Sequence, residues 1–432
     1  MQPGKLGTVD DVSEVNDMDA EARPLGTKRD PIVRMISVWG PGLLVMLADT
    51  DAGNVVTAAQ SGIQWGYRLL PLLLLLIPML YMVQELTVRL GIYTGRGHGE
   101  LIRERFGIGW ALLSTMGLAA ATIGSLITEF TAVAAIGELY GVSRSLTLPL
   151  AAVALLFIVG TGSYRRVERT TLVIGLFEVA FFAVAWVTHP SLATLAKETT
   201  DLPLSNPDFL YMGAALIGAT FNPWMIFYQQ SATVDKKLQP RDLKHARWDT
   251  CIGAILTQCL TGAVLVAAAA TLGTGNANLS LSSIGEISDA MTPLLGGNAG
   301  RLVFSVGVLG ASLVAAIVSS LALAWGAGEV AGYKRSLEFR PFEAKWFYGV
   351  YVAGVVCTAA LVWFVPDMVW LTIAAQVLNA FLMPMVIGLL VALAVKVLPA
   401  PFGLAGSYMW LIIAITVVVS ALGVFGGISG LL

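Results

Sequence analysis

Eleven apolar stretches run through the 432-residue chain, near residues 35–60, 68–90, 110–138, 145–161, 170–188, 209–232, 249–271, 301–325, 346–364, 369–393 and 406–427. Most come close to the roughly 20 residues a helix needs to cross a bilayer. In hydrocarbon, backbone N–H and C=O groups find no water, so only helices and closed barrels can span it. The stretches are rich in Leu, Ala, Val and Ile with little alternation of period two, which predicts helices rather than barrel strands. Only 12% of the residues are charged, against about a quarter in soluble domains. That excludes a disordered chain, a nucleic-acid binder and an ordinary soluble enzyme. An all-α polytopic membrane protein remains, with the lipid bilayer as its first partner.

The charges orient the bundle. With the N-terminus inside, 22 of the 26 Lys and Arg fall on the inner side, and only Arg68, Arg144, Lys197 and Arg301 fall outside. Such a bias marks the cytoplasmic face, and an odd number of spans then places the C-terminus outside. Residues 1–34 are polar and acidic, without the basic start and apolar run of a signal peptide, and read as a cytoplasmic tail. Gly107, Gly109 and Trp110 mark re-entry into the membrane after an interfacial helix at 98–106. The basic connection 235–248 fits an ordinary topology-fixing loop or a lipid or regulatory patch. His98, His189 and His245 lie in polar segments and the three cysteines form no paired motif, so no metal site of His or Cys is expected at bilayer depth.

Two spans are interrupted. In the first, Asp49, Asp51, Gly53 and Asn54 fall halfway along an apolar run that begins Gly40-Pro41-Gly42. An unpaired carboxylate there costs several kcal/mol unless a partner or a wet cavity compensates. Gly53 weakens the helix, and Ala52-Gly53-Asn54 suits a short unwound turn that brings Asp51 and Asn54 together as oxygen donors for a cation. Asp49 points elsewhere, toward polar packing or gating. In the sixth span, Gly218-Ala219-Thr220-Phe221-Asn222-Pro223-Trp224 predicts a break just before Pro223, with the Asn222 amide on it. Breaks in the first and sixth spans are what two inverted five-helix repeats would place face to face at midplane, with an eleventh helix as an accessory. The repeats would cover 35–190 and 209–393, and the accessory helix 406–427. Gln376 and Asn379 share one helical face that can line the same cavity. Glu129 suits proton handling or a structural ion pair, and Glu178 and Glu85 are similar but less specific.

The two interrupted segments resemble those of the natural resistance-associated macrophage protein (Nramp) family of divalent metal transporters, over roughly residues 35–395. The resemblance implies a leucine-transporter-like fold, alternating access, and uptake of manganese or iron, usually with protons. It implies Asp51 and Asn54 as first-span ligands, Ala48 and Ala219 as donors of backbone carbonyls, Gln376 as a tenth-span participant, and Glu129 as the third-span glutamate. Asn222 stands where the family has a ligating methionine, Trp224 where it has a histidine, and Leu126 where it has a third-span aspartate. An all-oxygen donor set favours Mg2+ or Mn2+ over softer metals. These departures resemble the Nramp-related magnesium transporter branch.

The expectation is therefore a monomeric carrier of Mg2+ and Mn2+ in a prokaryotic inner membrane, without resident cofactor, without catalysis and without obligatory proton coupling. Gly53 and Pro223 act as hinges, with Asp49, Glu129, Trp224 and Asn379 as gating or coupling groups. The alternatives are a proton-coupled Mn2+ transporter and a symporter for an amino acid or other organic solute on the same scaffold, in which the helix ends bind a carboxylate.

Overall fold

The computed structural model describes residues 38–272, 286–288, 297–364, 369–400 and 402–429, so the expected tail 1–34 lies outside the described residues. Its helices, in chain order, are α1 (Pro41–Asp49), α2 (Ala52–Trp65), α3 (Leu70–Thr94), α4 (His98–Phe106), α5 (Ile108–Leu139), α6 (Arg144–Val159), α7 (Tyr164–Gly175) and α8 (Ala180–Val187). They continue as α9 (Leu192–Glu198), α10 (Pro207–Thr220), α11 (Pro223–Asp235), α12 (Leu243–Leu272), α13 (Asn298–Ala331), α14 (Lys345–Phe364), α15 (Val369–Val397) and α16 (Gly406–Ser429).

Among the described residues, nine helical stretches are long and apolar enough to cross a membrane. The interrupted pair α1 and α2 and the 16-residue α6 account for the other two expected segments. Helix ends depart from expectation by a few residues: the first segment runs to Trp65, and α13 extends to Ala331. The interfacial helix is present as α4. The short α9, between the fifth and sixth spans, was not expected. A 3-10 turn, Leu176–Val179, separates α7 from α8 within the fifth span.

Close helix approach explains much of the glycine in the chain. Between membrane helices, small residues let backbones meet. At Gly218 in α10, an added Cβ would lie 1.7 Å from the backbone oxygen of Gln376 in α15. The packing brings the broken segments inward: α1 and α2 lie against α12, α2 also meets α5 and α15, and α10 lies against α15.

This contact yields a test. Gly218→Ala should destabilise the protein by an overpacking cost of about 1–3 kcal/mol. Gly388→Ala, on α15 where an added Cβ meets nothing within 4 Å, should leave it unchanged. Thermal unfolding of both variants in detergent decides, and equal midpoints would contradict the close approach.

Candidate functional site

The first break lies at Thr50 (φ −75°, ψ 39°) and Asp51 (φ −65°, ψ 170°). This corrects the sequence expectation: Ala52, Gly53 and Asn54 are not unwound but form the first turn of α2. The reason is a cap. Asp51 is the N-cap residue, and its Oδ1 accepts from the Asn54 backbone N–H at 2.6 Å. Aspartate is among the strongest N-caps, and here that preference moves the break ahead of the glycine. The Asn54 side chain folds back, its Nδ2 donating to the Asp49 carbonyl at 2.9 Å. Gly53 serves instead as room for the Gln376 side chain, since a Cβ there would lie 2.1 Å from its Nε2.

The second break falls where expected. Asn222 (φ −72°, ψ 132°) is the N-cap of α11 and Pro223 its first residue. Asn222 Nδ2 donates to the Ala219 carbonyl at 2.9 Å. Asn379 Nδ2 donates to Asn222 Oδ1 and, at 3.0 Å, to Gln376 Oε1. The Asp49 carboxyl lies within hydrogen-bonding reach of the Asn222 side chain, so the two breaks meet. Trp224 is wholly buried in the first turn of α11, and Ala48 and Ala219 are buried in the last turns of α1 and α10. The Ala219 carbonyl already serves Asn222.

The site is sealed. Asp49, Asp51 and Asn54 are 0% exposed, Asn222 and Gln376 2%, and Asn379 3%. Beside Asn222 is a cavity of about 10 Å3, close to the smallest space that holds one water.

Two further carboxyls face the first break. Glu129 on α5 accepts from the Ala52 backbone N–H at 3.2 Å, at the positive end of α2, with Ser312 of α13 beside it. Glu178, on the 3-10 turn of the fifth span, lies beside Thr50 and within electrostatic reach of Asp49 and Asp51. Among the described residues none of these four carboxyls has an ion-pair partner. Seven buried oxygens lack a hydrogen-bond partner: Asp49 Oδ1, Asp51 Oδ2, Asn54 Oδ1, Glu129 Oε1, both of Glu178 and Asn379 Oδ1. Amide oxygens and ionised carboxylates only accept, so what this cluster lacks is positive charge. No three His, Cys, Asp or Glu gather into a metal-binding group among the described residues. Amide oxygens therefore carry much of the donor capacity.

Sequence reasoning missed Asp249. Its carboxylate, on α12, accepts from the backbone N–H groups of Gly40 (3.1 Å), Gly42 (2.8 Å) and Leu43 (3.2 Å), capping α1. A helix start leaves four N–H groups without partners, and Gly40-Pro41-Gly42 brings no capping side chain. The need for an acceptor was legible; its source more than 200 residues away was not. Thr257, also on α12 and also missed, bonds the Thr50 hydroxyl at 2.8 Å and Asp49 Oδ2 at 3.4 Å.

With the geometry described, comparison with known proteins settles the lineage. A family model described as "Natural resistance-associated macrophage protein-like" matches residues 42–429. The chain belongs to this Nramp family. It is 26% identical over 309 residues to the divalent metal cation transporter MntH of Brucella suis, a match covering 67% of this chain and 66% of that protein, so it spans about two thirds of the relative's length. Its fold is similar to that of the Eremococcus coleocola manganese transporter, with TM-score 0.70, 18% identity, and coverage of 92% of this chain and 88% of that one. It is also similar to MhsT, crystallised with L-phenylalanine, with TM-score 0.60, 14% identity, and coverage of 90% and 98%. The fold of this Nramp protein is thus all-α, multi-span and leucine-transporter-like. The comparisons reach the family and do not single out its magnesium-transporting branch.

Asp249→Ala should release α1. The loss of a cap with three bonds is expected to cost about 2 kcal/mol and to speed maleimide labelling of a cysteine placed at Leu43. An unchanged thermal midpoint together with unchanged labelling would show that the cap does not hold the half-helix.

Proposed function

We propose that this chain carries divalent cations across a membrane by alternating access, with Mn2+ as principal cargo. In this reading Asp51, Asn54, Asn222 and Gln376 bind the ion with help from the Ala48 and Ala219 carbonyls. The observation that carries it is the cluster of unpartnered acceptor oxygens around the two breaks, where among the described residues no Lys, Arg or His pairs with the four carboxyls. Leaving buried charge uncompensated costs several kcal/mol per ion, and a divalent ion supplies the missing charge. A relative named for divalent metal cations and a similar fold named for manganese support Mn2+ ahead of the Mg2+-first reading. Homology to transporters likewise supports transport rather than catalysis.

Mg2+ is kept as a second cargo for one reason: Asn222 offers an amide oxygen, not a thioether, and hard oxygen donors suit Mg2+ as well as Mn2+. The amino-acid symporter fits less well. A ligand carboxylate needs donors, whereas the unpartnered atoms around the breaks are mostly acceptors, with Trp224 Nε1 and the Ser312 hydroxyl as donors.

For coupling we favour protons moving with the metal. Glu129 and Glu178 lie beyond the ligand set, face the same break and have oxygens without partners, so they can exchange protons as a cation enters and leaves. The membrane potential adds about 4.6 kcal/mol per 100 mV for a divalent ion, from ~2.3 per charge. The two repeats, first to fifth and sixth to tenth spans, would rearrange about the breaks at Thr50–Asp51 and Phe221–Asn222, with α16 as the accessory helix. The N-terminus would lie in the cytoplasm of a prokaryotic cell and the C-terminus outside, in a monomer.

Proteoliposomes supplied with Mn2+, Mg2+ or Ca2+ and a trapped pH-sensitive dye test each part. Mn2+ uptake with internal acidification is expected, falling at least about tenfold in Asp51→Ala, because removing one partner of a buried charged contact costs roughly 2–5 kcal/mol. Glu129→Gln combined with Glu178→Gln should abolish acidification. Metal entry with no acidification in the unaltered protein would restore the uncoupled reading. Asn222→Met should raise the Mn2+:Mg2+ uptake ratio, and an unchanged ratio would remove Asn222 from the ligand set.

A further inference from the structure

Far from the two breaks, a cavity of about 560 Å3 opens between α3, α12 and the segment before α16. That volume falls within the range of about 300–1,000 Å3 typical of ligand pockets. Its wall carries three cations, Arg241, Lys244 and Arg247, and among the described residues no Asp or Glu lines it. The remaining wall is mostly aromatic, including Tyr93, Trp248 and Phe402, with Tyr93 stacked on Phe402 at 4.5 Å.

One carboxylate behind the wall is already committed. Glu85 is buried in α3 and holds two cations, Arg89 at 2.6 Å and Arg247 at 2.8 Å. Arg89 also donates to the Phe402 carbonyl at 3.1 Å, which fixes that side of the cavity. Lys244 makes no ion pair among the described residues and is exposed. The pocket therefore presents net positive charge.

Its position on α12 says what kind of anion fits. Arg241 stands in the 3-10 turn Pro240–Asp242 that leads into α12, and Lys244, Trp248, Cys251 and Ile255 follow on α12 at i, i+4, i+7 and i+11, along one helical face. The face passes from charged to apolar within a few turns, and its apolar part is open: Trp248 is 56% exposed and Ile255 47%. A soluble anion would use only the basic end. An occupant with an anionic head and long apolar chains uses the whole stripe, in the way basic pockets between membrane helices hold lipid head groups. Trp at the junction suits the boundary between head groups and hydrocarbon.

We infer that this cavity is a binding site for an anionic phospholipid, its phosphodiester held by Arg241, Lys244 and Arg247 and its acyl chains lying along Trp248 and Ile255. The basic 235–248 connection then does more than set topology.

Native mass spectrometry of the full chain in detergent tests this, with dioleoyl phosphatidylglycerol, dioleoyl phosphatidylcholine and inorganic phosphate as probes. Phosphatidylglycerol should be retained at least about tenfold more tightly than phosphatidylcholine, since each basic residue near a lipid surface contributes on the order of one such step or slightly less. Arg241→Gln combined with Lys244→Gln should erase that preference while leaving phosphatidylcholine binding intact, and Lys244→Arg should retain it. Equal retention of the two lipids by the unaltered protein would overturn the proposal. So would a preference that survives the double substitution, and so would displacement of phosphatidylglycerol by millimolar inorganic phosphate, which marks a site for a free anion.

Discussion

Everything in this bundle is arranged around carboxyl and amide oxygens buried at bilayer depth without a counter-charge. Asp49, Asp51, Glu129 and Glu178 surround the first break, and none is ion-paired among the described residues. A folded chain accommodates so costly a cluster by taking up a cation or by holding some of the carboxyls protonated. Elsewhere the protein compensates buried carboxylates from within. Glu85 holds two arginines, Glu168 binds Lys236 at 2.7 Å, and Asp249 accepts three backbone N–H groups. That contrast separates structural acids from those around the candidate site.

The breaks themselves follow from ordinary helix chemistry used at an unusual depth. Each second half-helix begins with a polar N-cap, Asp51 in α2 and Asn222 in α11. Ending a helix frees backbone carbonyls, and starting the next frees N–H groups, so the Asp51 cap, Glu129 at Ala52 and Asn222 at Ala219 meet part of that need. Gln376 and Asn379 from α15 close the remaining side. Besides its packing against α12, α1 is tied to that helix by a few discrete bonds, from Asp249 at its start and Thr257 at its end. Such bonds can be exchanged one at a time as a bundle rearranges.

How far the sequence discloses this depends on the range of each interaction. The spans are legible because lipid forces every backbone group to pair locally. The break at Pro223 is legible because a proline acts on its own preceding turn. The first break is placed two residues too late because glycine flexibility and aspartate capping compete over three residues, and the cap prevails. The roles of Asp249 and Thr257 are invisible in sequence, since each depends on a partner more than 200 residues away, and Glu178 is legible only as a less specific buried acid. The chemistry of cargo choice, amide for thioether at Asn222, is legible only through family resemblance, and the comparisons support the family more firmly than its magnesium branch.

The most direct measurement is an anomalous-scattering map of crystals grown with Mn2+. The account predicts one strong peak between Asp51 and Asn54 on one side and Asn222 and Gln376 on the other, lost in Asp51→Ala crystals. A peak elsewhere in the bundle, or none between the breaks when transport is intact, would contradict it.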